Sequence, residues 1–136
     1  MIVCERVSFA GRAAPSCRGT NSRDRNAMDF SAAYASRSTA RVDFTATVTS
    51  SPRFFHGSRS QYTHEAFDTT TASGPLEVVD NVDIAPRCPV KPGDQVEVCG
   101  EMVHDPGKPP IVHWTHHDPS NTHPGGFIRL NGKLYA

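Results

Sequence analysis

Between His113 and His123 the chain reads His-Trp-Thr-His-His-Asp-Pro-Ser-Asn-Thr-His, and Pro124-Gly125-Gly126 follow at once. Four of the seven histidines, with Asp118, fall in this stretch. Imidazole changes charge near neutral pH and is the commonest protein ligand for transition metals, so the run points to a metal site or an acid/base site. Three nitrogen donors, or two with a carboxylate, that leave one position open are the pattern of a catalytic zinc or similar divalent ion. Such an ion makes a hydroxide nucleophile of its bound water near neutrality. The expected ligands are His113, His117, His123 and Asp118. A metal-free version uses one imidazole as base and another as acid on a phosphodiester, with a cation steadying the developing negative charge. In either version His113, His117 and Asp118 are the expected catalytic groups and His64, beside Glu65, is their distant partner. Arg129, Lys133 and Trp114 are the expected substrate contacts. A third reading needs no chemistry: the histidines bond backbone carbonyls and order an irregular loop, while Asp118 before Pro119 starts a turn.

The elements that must position these groups are short and mostly extended. Val42, Phe44, Ala46 and Val48 alternate with Asp43, Thr45, Thr47 and Thr49, a half-buried strand over about residues 40–50. Further strands are predicted over 63–70, 76–79, 95–103 and 111–117. On the last of these, period two puts His113, Thr115 and His117 on one face, and Val112, Trp114 and His116 on the other. Phe30, Ala33 and Tyr34 share one face of a short helix within 28–37. Lys91-Pro92-Gly93-Asp94 is a turn. Asn131-Gly132, between 127–130 and 133–135, predicts a hairpin with a type I′ turn. Phe54 and Phe55 fall in a loop or hairpin tip over 53–59. The predicted fold is mainly β: a small five-stranded, OB-like, partly closed barrel with a short N-terminal helix and a C-terminal hairpin.

The chain of 136 residues suffices for one domain, placed at 40–136 after a short helix and linker at 28–39. Residues 1–27 lack periodicity and carry five arginines against Glu5 and Asp24. They read as a disordered tail, or as the product of a start codon upstream of Met28. The remainder carries nine basic and twelve acidic residues, a net charge of −3 that argues against a broad phosphate-binding surface. Cys4, Cys17, Cys88 and Cys99 form no CxxC pair and read as reduced thiols in a cytoplasmic protein. No apolar run is long enough to span a membrane, and no membrane association is expected.

The C-terminal half resembles a bacterial family of small single-domain proteins of unknown function. The resemblance is carried by Ile111-Val112-His113-Trp114-Thr115-His116-His117-Asp118-Pro119, by His123-Pro124-Gly125-Gly126-Phe127-Ile128, and by Asn131-Gly132-Lys133-Leu134-Tyr135. Asn81-Val82-Asp83-Ile84-Ala85-Pro86-Arg87 and Lys91 to Asp94 are similar to upstream elements of the family, although Asp80 stands where the family often has histidine. The resemblance implies a β-barrel-like domain over about 40–136 and no particular activity.

Two functional classes follow. One is a hydrolase of phosphodiesters, in nucleic acid or a nucleotide, working through the C-terminal His/Asp cluster with or without zinc. The other is a non-catalytic OB-like module that binds single-stranded nucleic acid or a protein, with Phe54 and Phe55 as contacts.

Overall fold

The computed structural model describes Cys17, residues 29–59 and residues 61–136. Helix α1 (Phe30–Ser36) is followed by strands β1 (Ala40–Val48), β2 (Arg53–His56), β3 (Thr63–Thr71), β4 (Gly74–Asn81), β5 (Gln95–Val103), β6 (Ile111–His113), β7 (Phe127–Leu130) and β8 (Lys133–Tyr135). The alternation along β1 is realised: Val42, Phe44, Ala46 and Val48 are buried. Strands β1, β3, β4, β6 and β5 neighbour one another in that order, and β5 pairs back onto β1 from Ala40↔Met102 to Thr47↔Gln95. That last ladder closes the barrel. The β4–β6 contact is parallel; the other pairings are antiparallel. A five-stranded barrel with this order is OB-like, as the strand count predicts, and it is closed rather than partly open.

The barrel interior is filled by Val42, Phe44 and Val48 from β1, Phe67 from β3, Leu76 and Val78 from β4, Val96, Val98 and Met102 from β5, and Val112 from β6. Helix α1 starts at Asp29, whose carboxylate accepts from the Ala32 N–H at 3.0 Å, an N-cap. Phe30 stacks on Phe44 with ring centroids 4.5 Å apart, and the Tyr34 hydroxyl donates to the Pro75 carbonyl at 2.8 Å. The helix thus touches the turn end of the β3–β4 hairpin.

The hairpin predicted around Asn131-Gly132 is β7–β8, paired from Ile128↔Tyr135 to Leu130↔Lys133. Both turn residues have positive φ, 52° and 78°, as a type I′ turn requires. Segment 53–56 is a strand, β2, antiparallel to β3 from Arg53↔Ala66 to His56↔Thr63.

Two further expectations fail. The strand predicted over 111–117 stops at His113, because Trp114 adopts φ 56° and turns the chain out of the pleat. The cysteines are not all reduced: Cys17 and Cys99 form a disulfide. Cys99 lies on the outer side of β5, in a small cluster with Phe127 that Leu134 and Ala136 flank. Arg41 donates to the carbonyls of Cys17 and Gly125, so one side chain holds both segments against the barrel. Cys88 is buried in the main core. The reading of 1–27 as a tail lies outside the described residues, Cys17 excepted.

Candidate functional site

The turn at Trp114 decides where the C-terminal histidines go. With the pleat broken, the alternation that would set His113, Thr115 and His117 on one face does not operate. Thr115 and His116 turn inward and are buried, while His117 is exposed. Backbone crowding makes this path tight. A Cβ on Gly126 would lie 2.1 Å from the Trp114 carbonyl oxygen and 2.2 Å from that of Cys99. Only glycine fits there. The Gly126 N–H donates to the His116 carbonyl at 2.8 Å.

The four expected metal ligands are not brought together. Asp118 is a loop organiser. It accepts from the N–H and hydroxyl of Ser120 (3.0 and 2.8 Å), the N–H and hydroxyl of Thr122 (2.8 and 3.1 Å) and the N–H of His123 (2.7 Å). These bonds, led by that from His123, hold its carboxyl well below the usual carboxylate range. His113 and His123 do approach one another, through Glu101: His113 Nε2 is 3.4 Å from one carboxylate oxygen and His123 Nε2 is 3.2 Å from the other. The second nitrogen of His123 faces the Pro124 carbonyl at 2.8 Å, and its ring stacks on Trp114 with centroids 3.9 Å apart. Among the described residues no group of three or more His, Cys, Asp or Glu is placed to hold a metal. The donor set therefore does not fit the ion that the sequence run suggests.

The expected substrate contacts are also dispersed. Arg129 donates to Glu97 at 2.5 Å, and Lys133 sits over the Tyr135 ring at 5.0 Å on the C-terminal hairpin. Trp114 lines a cleft, where it joins His64, His113 and His116. This cleft, of about 290 Å³, lies where β3, β4 and β6 end together. Burial lowers the pKa of both His113 and His116; Glu101 pulls His113 the other way, as the His117 carbonyl does for His116. The His116 Nδ1–H donates to that carbonyl at 2.7 Å. His64 stacks on Phe55 at 5.5 Å. Of the expected catalytic set, the structure gathers His113 and His64 and leaves out His117 and Asp118.

The same end of the barrel holds a pair that sequence reasoning missed. Glu65 on β3 and Asp80 on β4 are direct cross-strand partners, each only 1% exposed. On their strands they continue the inward rows Glu65-Phe67-Thr69 and Leu76-Val78-Asp80. Asp80 Oδ1 accepts from the Thr115 hydroxyl at 3.1 Å and from the Asn81 N–H at 2.9 Å. Asp80 Oδ2 and both Glu65 oxygens are buried without a hydrogen bond. Among the described residues the cation paired with Glu65 is Arg87, whose Nε is 3.9 Å from Glu65 and whose guanidinium lies over the Phe54 ring at 4.1 Å. Burial, reinforced by Asp80, pushes the Glu65 carboxyl up to about 7. Burial also pushes Asp80 up to about 7, against the opposing hydrogen bonds from Thr115 and Asn81. Two carboxylates face to face in an apolar wall resist carrying two charges. The signal for them was present: period two places Glu65 in line with Phe67 and Asp80 in line with Val78.

A larger groove, about 460 Å³, runs past Asp68, Glu77 and Lys108. Its carboxylates are already engaged, since Arg53 bonds Asp68 at 3.1 Å and Glu77 at 2.7 Å. Beside the cleft lie the exposed large hydrophobic side chains of Phe54, Phe55 and Tyr62, 43%, 45% and 50% accessible, all on the β1–β3 connection.

The closed five-stranded barrel and its aromatic-rimmed, carboxylate-backed end define an OB-like domain. The chain belongs to the DUF3465 family of proteins of unknown function, whose model matches residues 18–136. No curated protein and no solved structure matches it.

Proposed function

We propose that this chain is a non-catalytic OB-type binding module that takes a protein segment across the end of the barrel where the cleft lies. One observation carries the reading: Phe54, Phe55 and Tyr62 stand exposed together on the connection between the first two barrel strands. OB-type barrels bind their ligands at that connection and on the adjoining sheet face. Exposed aromatic side chains of this kind anchor protein interfaces. Charge favours a protein over nucleic acid. Residues 28–136 carry a net −3, and Arg53 and Arg129 are committed to carboxylates. A net negative charge disfavours counterion release from a phosphate backbone.

Selection of random peptides on the intact chain tests this. The reading expects an enriched sequence class whose affinity falls by about tenfold or more in Phe54→Ala/Phe55→Ala, since such anchors contribute roughly 1–2 kcal/mol each. No enrichment, or binding indifferent to both phenylalanines, contradicts it. Tight binding of single-stranded DNA or RNA with a steep salt dependence instead identifies a nucleic-acid module.

A hydrolase is the second reading, and one observation favours it: the Glu65–Asp80 pair, able to hold and release a proton near neutrality, lies beside the cleft that His64 and His113 line. It calls for phosphodiester turnover that is lost in both Glu65→Gln and His113→Ala. Turnover unaffected by either change removes it.

A further inference from the structure

We propose that the cleft at the end of β3, β4 and β6 is a binding site for the guanidinium group of an arginine side chain, with Asp80 as the anion that meets it and Trp114 and Tyr62 as its walls. The starting point is an unmet demand. Asp80 is 1% exposed, lines the cleft, and has an oxygen, Oδ2, with no hydrogen-bond donor. Glu65, directly across the strand pair, has two more such oxygens. Buried acceptors of this kind are normally satisfied, and an unsatisfied carboxylate is among the most costly groups to bury. Asp80 is the carboxylate among the cleft's lining residues, so a donor seated there, with its lining side chains adjusting, is the partner that oxygen lacks.

The chemistry of the walls narrows the donor. A metal ion would need more ligands than this end of the barrel gathers, since no described group of three His, Cys, Asp or Glu is placed for one. A neutral polyol would leave the paired negative charge uncompensated. A guanidinium carries several N–H donors in one plane, matches a carboxylate edge to edge, and stacks its flat face on aromatic rings. Tyr62 and Trp114 supply the rings. Phe54 already holds one guanidinium, that of Arg87, at 4.1 Å, so the chain itself shows the contact type at this end of the barrel.

The ionisable groups around Asp80 set the pH dependence. Glu65 faces it from β3, and Arg87 reaches Glu65 from the 82–94 connection. His64 and Tyr62 line the cleft from β3 and the residues before it, and His113 and His116 from β6 and the loop that follows. Burial keeps His113 and His116 biased to their neutral forms, so they do not compete with an incoming cation. The carboxyl pair gives up its proton as the pH passes about 7. Binding therefore strengthens with rising pH.

This site goes beyond the binding-module reading and rests on it only for the carrier of the arginine. The test is calorimetric titration of the full chain with N-acetyl-arginine amide, followed in parallel by fluorescence of Trp114, the only tryptophan. Saturable binding is expected at about pH 8.5 and a loss of at least about tenfold at about pH 5.5. N-acetyl-citrulline amide, uncharged and nearly the same shape, is expected not to bind. Asp80→Asn, checked for a cooperative melt, is expected to lose about tenfold or more. Three results overturn the site: no saturable signal at the higher pH, equal binding of the citrulline compound, or full affinity in Asp80→Asn. Should that variant fail to fold, the arginine–citrulline comparison on the unmodified chain still decides. Arginine amide binding without any peptide enriched in the selection supports the site and sinks the module reading; an enriched peptide with no arginine amide binding sinks the site alone.

Discussion

The loop from Trp114 to Gly126 and the Glu65–Asp80 pair border the same cleft, yet their polar atoms fare differently. In the loop, Asp118 collects its donors from residues two to five positions ahead. His116 bonds the next carbonyl, and His123 is held between Glu101, Pro124 and the Trp114 ring. At the carboxyl pair, residues fifteen positions apart meet through strand register, and three oxygens find no donor. Dense polar sequence tends to satisfy itself, because side chains close along the chain reach one another's backbone cheaply. Groups that only the barrel brings together depend on what the topology supplies. The less conspicuous region in sequence is thus the one left with unsatisfied carboxyl oxygens.

The largest expected effect tests whether the loop is locked by backbone crowding. Gly126→Ala drives a Cβ into the carbonyls of Trp114 and Cys99, and a loss of more than about 4 kcal/mol is expected, or no folded protein. Urea denaturation measures it; a loss below about 1 kcal/mol would mean the loop yields readily. Next is the disulfide that buttresses the far side of the same turn. It spans 82 residues of sequence, so replacing both Cys17 and Cys99 by serine is expected to cost about 2–4 kcal/mol, measured by the same denaturation.

Two carboxylate variants then sharpen the contrast, because their pH dependences carry opposite signs. The carboxyl of Asp80 is raised in the folded state to about 7. The native form therefore binds more protons than the unfolded chain between about pH 4 and about pH 7, and stability falls as pH rises through that window. Asp80→Asn removes the penalty while keeping the acceptor for Thr115. A gain on the order of 2–3 kcal/mol is expected at about pH 8, fading toward about pH 4. Asp118 is held below its ordinary value, so its contribution is present above the unfolded pKa and is lost as pH falls through the lower folded value. Asp118→Asn is expected to be the smallest change, seen as faster amide exchange at Ser120, Thr122 and His123 near neutrality, with the difference shrinking in acid. Matching slopes for the two variants would erase the distinction between the regions.

Much of the fold was legible. The alternation in β1, the Asn131-Gly132 hairpin and the strand count of the barrel follow from local pattern. The end of β6 was not, because nothing in His113-Trp114-Thr115 announces a positive φ; it arises where the segment leading into β7 passes close to the Trp114 carbonyl at Gly126. The Cys17–Cys99 bond escaped because spacing in sequence says nothing of closeness across the outer face of β5. For the site, density of histidine draws attention to the end of the barrel where His64 and His113 line one cleft. His117 and Asp118 fall outside that cleft, because the broken pleat sends them outward or into their own turn. Glu65 and Asp80 required the β3–β4 register, which fixes who faces whom only once the hairpin is placed.

The central claim is that a buried carboxyl pair, three of whose four oxygens lack hydrogen-bond partners, sits at this end of the barrel and keeps a proton near neutral pH. Carbon-13 NMR titration of the Glu65 and Asp80 side-chain carboxyls, assigned through Glu65→Gln and Asp80→Asn, tests it most directly. Midpoints drawn up to about 7 are expected; both groups titrating as ordinary carboxyls near 4 would contradict the account.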